Sequence, residues 1–113
     1  MVIEAAVRAF LAERLPVPVF CEASDEPSYV LIERTGSEER NRVRAATLAI
    51  QSYAGSLLGA AELNEQVRTA MESLPELPGV GGCRLLNDYN WTDTATRRYR
   101  YQAVFRVTHY EFD

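Results

Sequence analysis

Apolar positions recur along the chain with two different periods, and the changes between them divide it into elements. Ile3, Ala6, Val7, Phe10 and Leu11 repeat at helical spacing with charges between them. That spacing predicts an amphipathic helix over residues 2–15, terminated by Pro16 and Pro18. Residues 17–22 read as a short extended piece, 24–28 as a turn, and 29–34 (YVLIER) as a strand from β-branched and aromatic content. Residues 35–41, with Gly36 among them, read as a polar loop. Residues 42–53 are small and apolar on both faces around Ala45 and Ile50, which predicts a strand covered on both sides.

Helical spacing returns after Ser56, a good N-cap residue, with Leu57, Ala60, Leu63, Val67, Ala70, Met71 and Leu74 on one stripe. Glu62, Glu65, Arg68 and Glu72 lie opposite, and Pro75 and Pro78 end the helix before a glycine-rich linker over residues 79–82. Residues 84–89 and 97–110 then predict a long hairpin across the polar stretch 90–96. Its second arm alternates throughout. Arg97, Tyr99, Tyr101, Ala103, Phe105, Val107 and His109 point one way, while Arg98, Arg100, Gln102, Val104, Arg106, Thr108 and Tyr110 point the other. Such a strand is about 46 Å long at the usual rise per residue.

The predicted order is α-β-β-β-α-β-β over one domain, residues 1–113: an α+β fold with a mainly antiparallel sheet and helices packed on it. Its expected core joins Phe10, Leu11, Leu63, Val67 and Met71 of the helices to Leu31, Leu48, Ile50, Tyr101 and Phe105 of the strands. At 47% hydrophobic and 25% charged residues, 113 residues suffice to bury one such core.

Charge adds a second pattern to this outline. All 12 positive charges are arginines; residues 1–33 and 56–78 are net acidic, whereas 34–55 and 84–106 are net basic. Copies of the chain could therefore meet basic surface to acidic surface, with Arg98, Arg100 and Arg106 of one copy against Glu62, Glu65 and Glu72 of the next. The overall charge of −4 argues against a general nucleic-acid binder. The arginines and aromatics of the last strand also fall on opposite faces, which separates charge from any stacking platform.

Candidate chemistry is sparse. His109 is the only histidine and sits on the apolar face of the last strand, where a packed residue is expected. It assembles no Ser-His-Asp set and no zinc site, and the expectation is a protein without catalytic centre, cofactor, metal or small-molecule substrate. The adjacent acids Glu38-Glu39 and Asp25-Glu26 read as solvated loop charges. Residues 79–82 lack the Lys-Ser/Thr of a phosphate loop and follow a helix, not a strand. Cys21 and Cys83 match no metal spacing and read as buried, reduced thiols of an intracellular protein. No apolar run approaches the ~18 residues of a membrane span, and no positively charged region precedes an apolar one at the N-terminus, so neither membrane insertion nor secretion is expected. Tyr89 and Trp91, beside the hairpin turn, either anchor a partner or fold back over the sheet.

Two blocks carry a resemblance: RATLAIQSYAGSLLGAAELNEQVRTAM, residues 44–71, and LLNDYNWTDTATRRYRYQAVFRVTHY, residues 85–110. With a strand ending in Gln-Ser-Tyr-Ala, a helix containing Glu-Leu-Asn-Glu and a Thr-Asp-Thr-Ala-Thr turn before an aromatic strand, the chain resembles the small tail-completion or tail-terminator proteins of long-tailed bacteriophages and prophages. That resemblance implies an α+β subunit that closes into a ring, typically a hexamer, capping the tail tube and meeting the head connector. The protein would then be a structural component of the virion, assembled in the host cytoplasm. A nucleic-acid or regulatory binding module and a small enzyme with an unrecognised site remain the alternatives.

Overall fold

The computed structural model describes residues 2–110. Its elements are α1 (Ile3–Ala12), β1 (Val19–Phe20), β2 (Tyr29–Arg40), β3 (Val43–Ala54), α2 (Leu57–Met71), a 3-10 turn (Leu74–Glu76), β4 (Val80–Asn90) and β5 (Tyr99–Tyr110). The strands form one sheet in the order β1-β2-β3-β5-β4. β1 runs parallel to β2, and every other neighbour pair is antiparallel. The predicted α+β order is the observed one.

Each helix forms where its apolar stripe can be buried. α1 buries Ile3, Val7, Phe10 and Leu11, and the chain then passes through Pro16 and Pro18, which have no N–H to continue the helix. Ser56 caps α2 as expected, accepting the Gly59 N–H at 3.0 Å. α2 buries Ala60, Leu63, Val67 and Met71, while Leu57, at its first turn, stays exposed. Both helices lie on one face of the sheet. There they cover Val30, Ile32, Ala46, Leu48, Ile50, Ala103, Phe105 and Val107 in a single aliphatic core.

Three strand boundaries differ from the predicted ones. Residues 35–40 are not a loop but the continuation of β2, whose exposed stretch from Glu33 to Arg40 pairs with β3 as far as Arg40↔Val43. Polar residues occur there because neither face of that stretch is covered. The reversal falls instead on Asn41 and Arg42, with φ of 53° and 65°. A two-residue type I′ hairpin turn needs positive φ at both central positions. Residues 80–82 are likewise not linker but the start of β4. At Gly81 a Cβ would lie 2.7 Å from the Tyr110 hydroxyl oxygen, so any side chain there has to displace the exposed Tyr110 ring. Arg97, at φ 57°, belongs to the turn before β5.

Two predicted core residues also move. Leu31 pairs with Gln51, so it faces away from the helices and joins a separate cluster with Tyr29, Tyr53 and Phe20. Tyr101 is on the helix side of the sheet but only half-buried, near the end where helical cover runs out. Cys21 is exposed rather than buried.

Candidate functional site

Among the described residues, no layer lies over the second face of the sheet, yet it is ordered like an interior. Ala45, Ala49, Gln51 and Tyr53 of β3 and Gln102 of β5 are buried there. The expectation that β3 is covered on both sides is thus met by helices on one side only. On the other, short side chains lie low between longer neighbours from β2 and β5.

Aromatic rings and arginines converge at one end of this face. Tyr29 stacks on Tyr53 with centroids 4.6 Å apart and planes within 5°, and Phe20 tilts against Tyr29 at 5.9 Å. The Arg98 guanidinium lies 5.1 Å from the Tyr53 centroid and 5.8 Å from that of Tyr29. Arg100 sits 4.0 Å over the Trp91 ring and donates from Nε to the Trp91 carbonyl oxygen at 2.6 Å. A chain of hydrogen bonds then crosses three strands. Arg100 Nη1 donates to the Tyr53 hydroxyl at 3.0 Å, that hydroxyl donates to Gln51 Oε1 at 3.0 Å, and Gln51 Nε2 donates to Glu33 Oε1 at 3.0 Å. A cation ends the chain on one side and a carboxylate on the other, so each bond polarises the next in the same sense. Gln102 Nε2 donates to the Tyr89 hydroxyl beside it.

The loop that carries Trp91 is held by Asp93. Its carboxylate accepts the Ala95 N–H at 3.0 Å and the Thr96 N–H at 3.4 Å. The Thr96 hydroxyl, these two backbone N–H groups and Arg100 hold the Asp93 carboxyl below its ordinary range.

These contacts place each predicted site residue. Arg98 and Arg100 are on the open face as expected, and both are engaged with rings and carbonyls of their own chain; Arg98 Nη2 also donates to the Glu26 carbonyl oxygen at 3.4 Å. Arg106 forms an ion pair with Glu38 across β3, so Glu38 is not simply a solvated loop charge. Glu62 and Glu65 on α2 and Glu72 at its C-cap are exposed, in the layer behind the sheet, and Glu65 pairs with Arg68 at 3.2 Å. The basic and acidic sets therefore lie on opposite sides of one subunit. Trp91 does not fold into either apolar cluster; it remains 42% exposed and carries Arg100 on its ring, with Tyr89 38% exposed nearby.

The separation of aromatics from arginines holds within β5 but not across the sheet. Tyr29, Tyr53 and Trp91 come from neighbouring segments onto the arginine face, a juxtaposition that needs the strand order and register. Period-two spacing of Tyr29 with Leu31, and of Gln51 with Tyr53, was the available signal, but it does not say which face meets the helices.

Elsewhere, His109 is buried on the helix side, opposite Arg44 on β3 and Val80 on β4. Asn64 Nδ2 donates to Asp88 Oδ2 at 2.8 Å and Arg68 reaches the same oxygen at 3.4 Å, which ties α2 to β4. The groove between the helices, lined by Arg14, Glu65, Gln66, Thr69, Ala70 and Ser73, contains neither histidine nor cysteine. Among the described residues, no group of three His, Cys, Asp or Glu side chains could hold a metal ion, and no helix is long and apolar enough to cross a membrane. No protein-family model matches the chain, and no curated protein matches it significantly.

Proposed function

We propose that the protein is a structural subunit that assembles with copies of itself into a ring, as the tail-completion proteins it resembles do. The ring caps a phage tail tube and offers a surface to the head connector. On this reading the protein works by contact rather than catalysis, in the host cytoplasm during assembly and in the virion afterwards.

The observation that carries the reading is the uncovered sheet face. Its polar side chains are fixed by stacking and hydrogen bonds in advance of any partner, and its rim presents Trp91, Tyr89 and arginines. Those residue types carry most of the binding energy at protein contacts, and ordering them beforehand lowers the entropy lost on association. The nucleic-acid alternative is disfavoured by burial rather than by strand alternation. The Tyr29 and Tyr53 rings are 2% and 8% exposed, which closes them to stacking bases and leaves only Trp91 and Tyr89 at the rim.

Mass photometry over a concentration series, followed by negative-stain imaging, tests the proposal. Closed rings of uniform size are the expected result. A monomer at every concentration that shifts short DNA at low salt would sink the assembly reading and favour the binding module.

A further inference from the structure

Arg98, Arg100 and Arg106 of the open face are already tied to groups of their own chain, which orders that face for another partner and leaves the joint between copies to be placed elsewhere. The sheet offers a place for it at its two margins. β4 is the last strand on one side; its Val80 N–H donates to the Leu77 carbonyl oxygen at 3.1 Å, and beyond it no strand of the described residues pairs with the outer edge as far as Asn90. On the other side, among the described residues, β1 pairs with Val30 and Leu31 and no strand pairs with the outer edge of β2 from Glu33 to Arg40.

The two free edges stand at the same level of the sheet. Following the pairing across it, Arg34, Leu48, Phe105 and Leu85 form one row; Ser37, Ala46, Val107 and Cys83 form another. Strand direction reverses at each step from β2 through β3 and β5 to β4, so β4 and β2 run in opposite senses. A second copy related by rotation about an axis roughly along the strands therefore brings its β2 antiparallel to the first copy's β4. The ladder continues without a break in its alternation.

We propose that copies of this chain join edge to edge, residues 80–86 of β4 pairing with residues 34–40 of β2 in the next copy. This rests on the self-association reading above and names its joint. The contact uses two different edges, so each copy keeps one of each and the series runs on until it closes. Charge favours this arrangement over a two-fold pairing of β4 with itself. Arg84 is exposed, sits near the middle of β4 and has no ion pair among the described residues; β4 paired with its own copy about a two-fold axis near its middle would bring Arg84 beside Arg84. The β2 edge is neutral instead, with Arg34, Glu38, Glu39 and Arg40, and the rows set Arg84 level with Gly36. β4 carries Arg84 and bulges between Val80 and Gly82 and between Leu85 and Asn87, but no proline, and it exposes Leu86 and Tyr89, 46% and 38%.

Hydrogen exchange read by mass spectrometry, on full-length protein diluted below and concentrated above its assembly point, tests the pairing independently of register. Assembly is expected to slow exchange about tenfold or more for outward amides in both 34–40 and 80–86. As a second arm, Ser37→Cys in a Cys21→Ser background is expected to cross-link to native Cys83 of the neighbour under oxidation. That yields a ladder of bands that Cys83→Ser abolishes. Oligomers in which both segments exchange at the monomer rate overturn the edge pairing and leave self-association standing. Protection of 80–86 alone in a dimer overturns it in favour of the two-fold contact. A protein that stays monomeric removes the self-association reading and this joint with it.

Discussion

Ile50 and Gln51 are neighbours in β3, both buried, yet they stand on opposite faces of the sheet and are fixed by different forces. Ile50 is covered by helices among aliphatic side chains, where stability comes from area removed from water and from close packing. Gln51 has no layer above it. It is held between Glu33 and Tyr53 in a line of hydrogen bonds that ends on Arg100. The first face tolerates imprecise direction but not lost volume; the second tolerates little change in donors and acceptors. A surface of the second kind is already shaped before a partner arrives, and this is why function is placed on it.

The comparison breaks most visibly on the covered face. Leu48→Ala or Phe105→Ala removes a side chain that is 0% or 3% exposed, and is expected to cost about 2–5 kcal/mol, read as a lower urea midpoint. His109→Ala belongs with these: at 1% exposed it is expected to lower stability through packing, so a loss of assembly in that variant is to be compared with its urea midpoint.

Tyr53→Phe keeps the ring on Tyr29 and deletes only the hydroxyl between Arg100 and Gln51. The expected loss is about 1–2 kcal/mol, two modest hydrogen bonds and no cavity. An unchanged midpoint would show that the line of bonds on the open face is ornament.

Arg100→Ala is smaller, about 1 kcal/mol, because its cation–π contact and hydrogen bonds are partly solvated. Its sharper signature is optical. Trp91 is the only tryptophan, so losing the guanidinium 4.0 Å above it should raise acrylamide quenching while the urea midpoint moves little.

The same fluorescence follows Asp93. Its carboxyl ionises below the ordinary value near 3.8, so its hold on the loop is complete above that value and is lost as pH falls through the lowered one. Trp91 quenching should therefore rise in acid before the aliphatic core unfolds, and Asp93→Ala should show the raised quenching already at neutral pH.

The weakest effect separates the two thiols. Burial pushes Cys83 up to about 11, from an ordinary value near 9. Whatever stability depends on its neutral form is present below 9 and lost as pH rises through 11. At pH 8, iodoacetamide should label exposed Cys21 first and Cys83 slowly, with no change in the urea midpoint.

Both helices, their proline stops, the Ser56 cap and the core strands were legible in the sequence. Period, capping and breaking are local properties, and a residue's own neighbours decide them. The alternation of β5 was legible for the same reason, and it placed Phe105 under the helices and Arg100 on the other face. The distal half of β2 was not legible, because its polar residues satisfy a loop pattern as well as they satisfy an uncovered strand. Leu31 could not be placed either, since period two separates faces without saying which one the helices will cover. The cluster of Tyr29, Tyr53, Trp91, Arg98 and Arg100 joins three stretches far apart in the chain, around residues 29, 53 and 91–100, and no spacing within one of them points to the others. Only strand order and register bring those side chains within a few ångströms, and the two free edges exist for the same reason: an edge is defined by which neighbour a strand lacks.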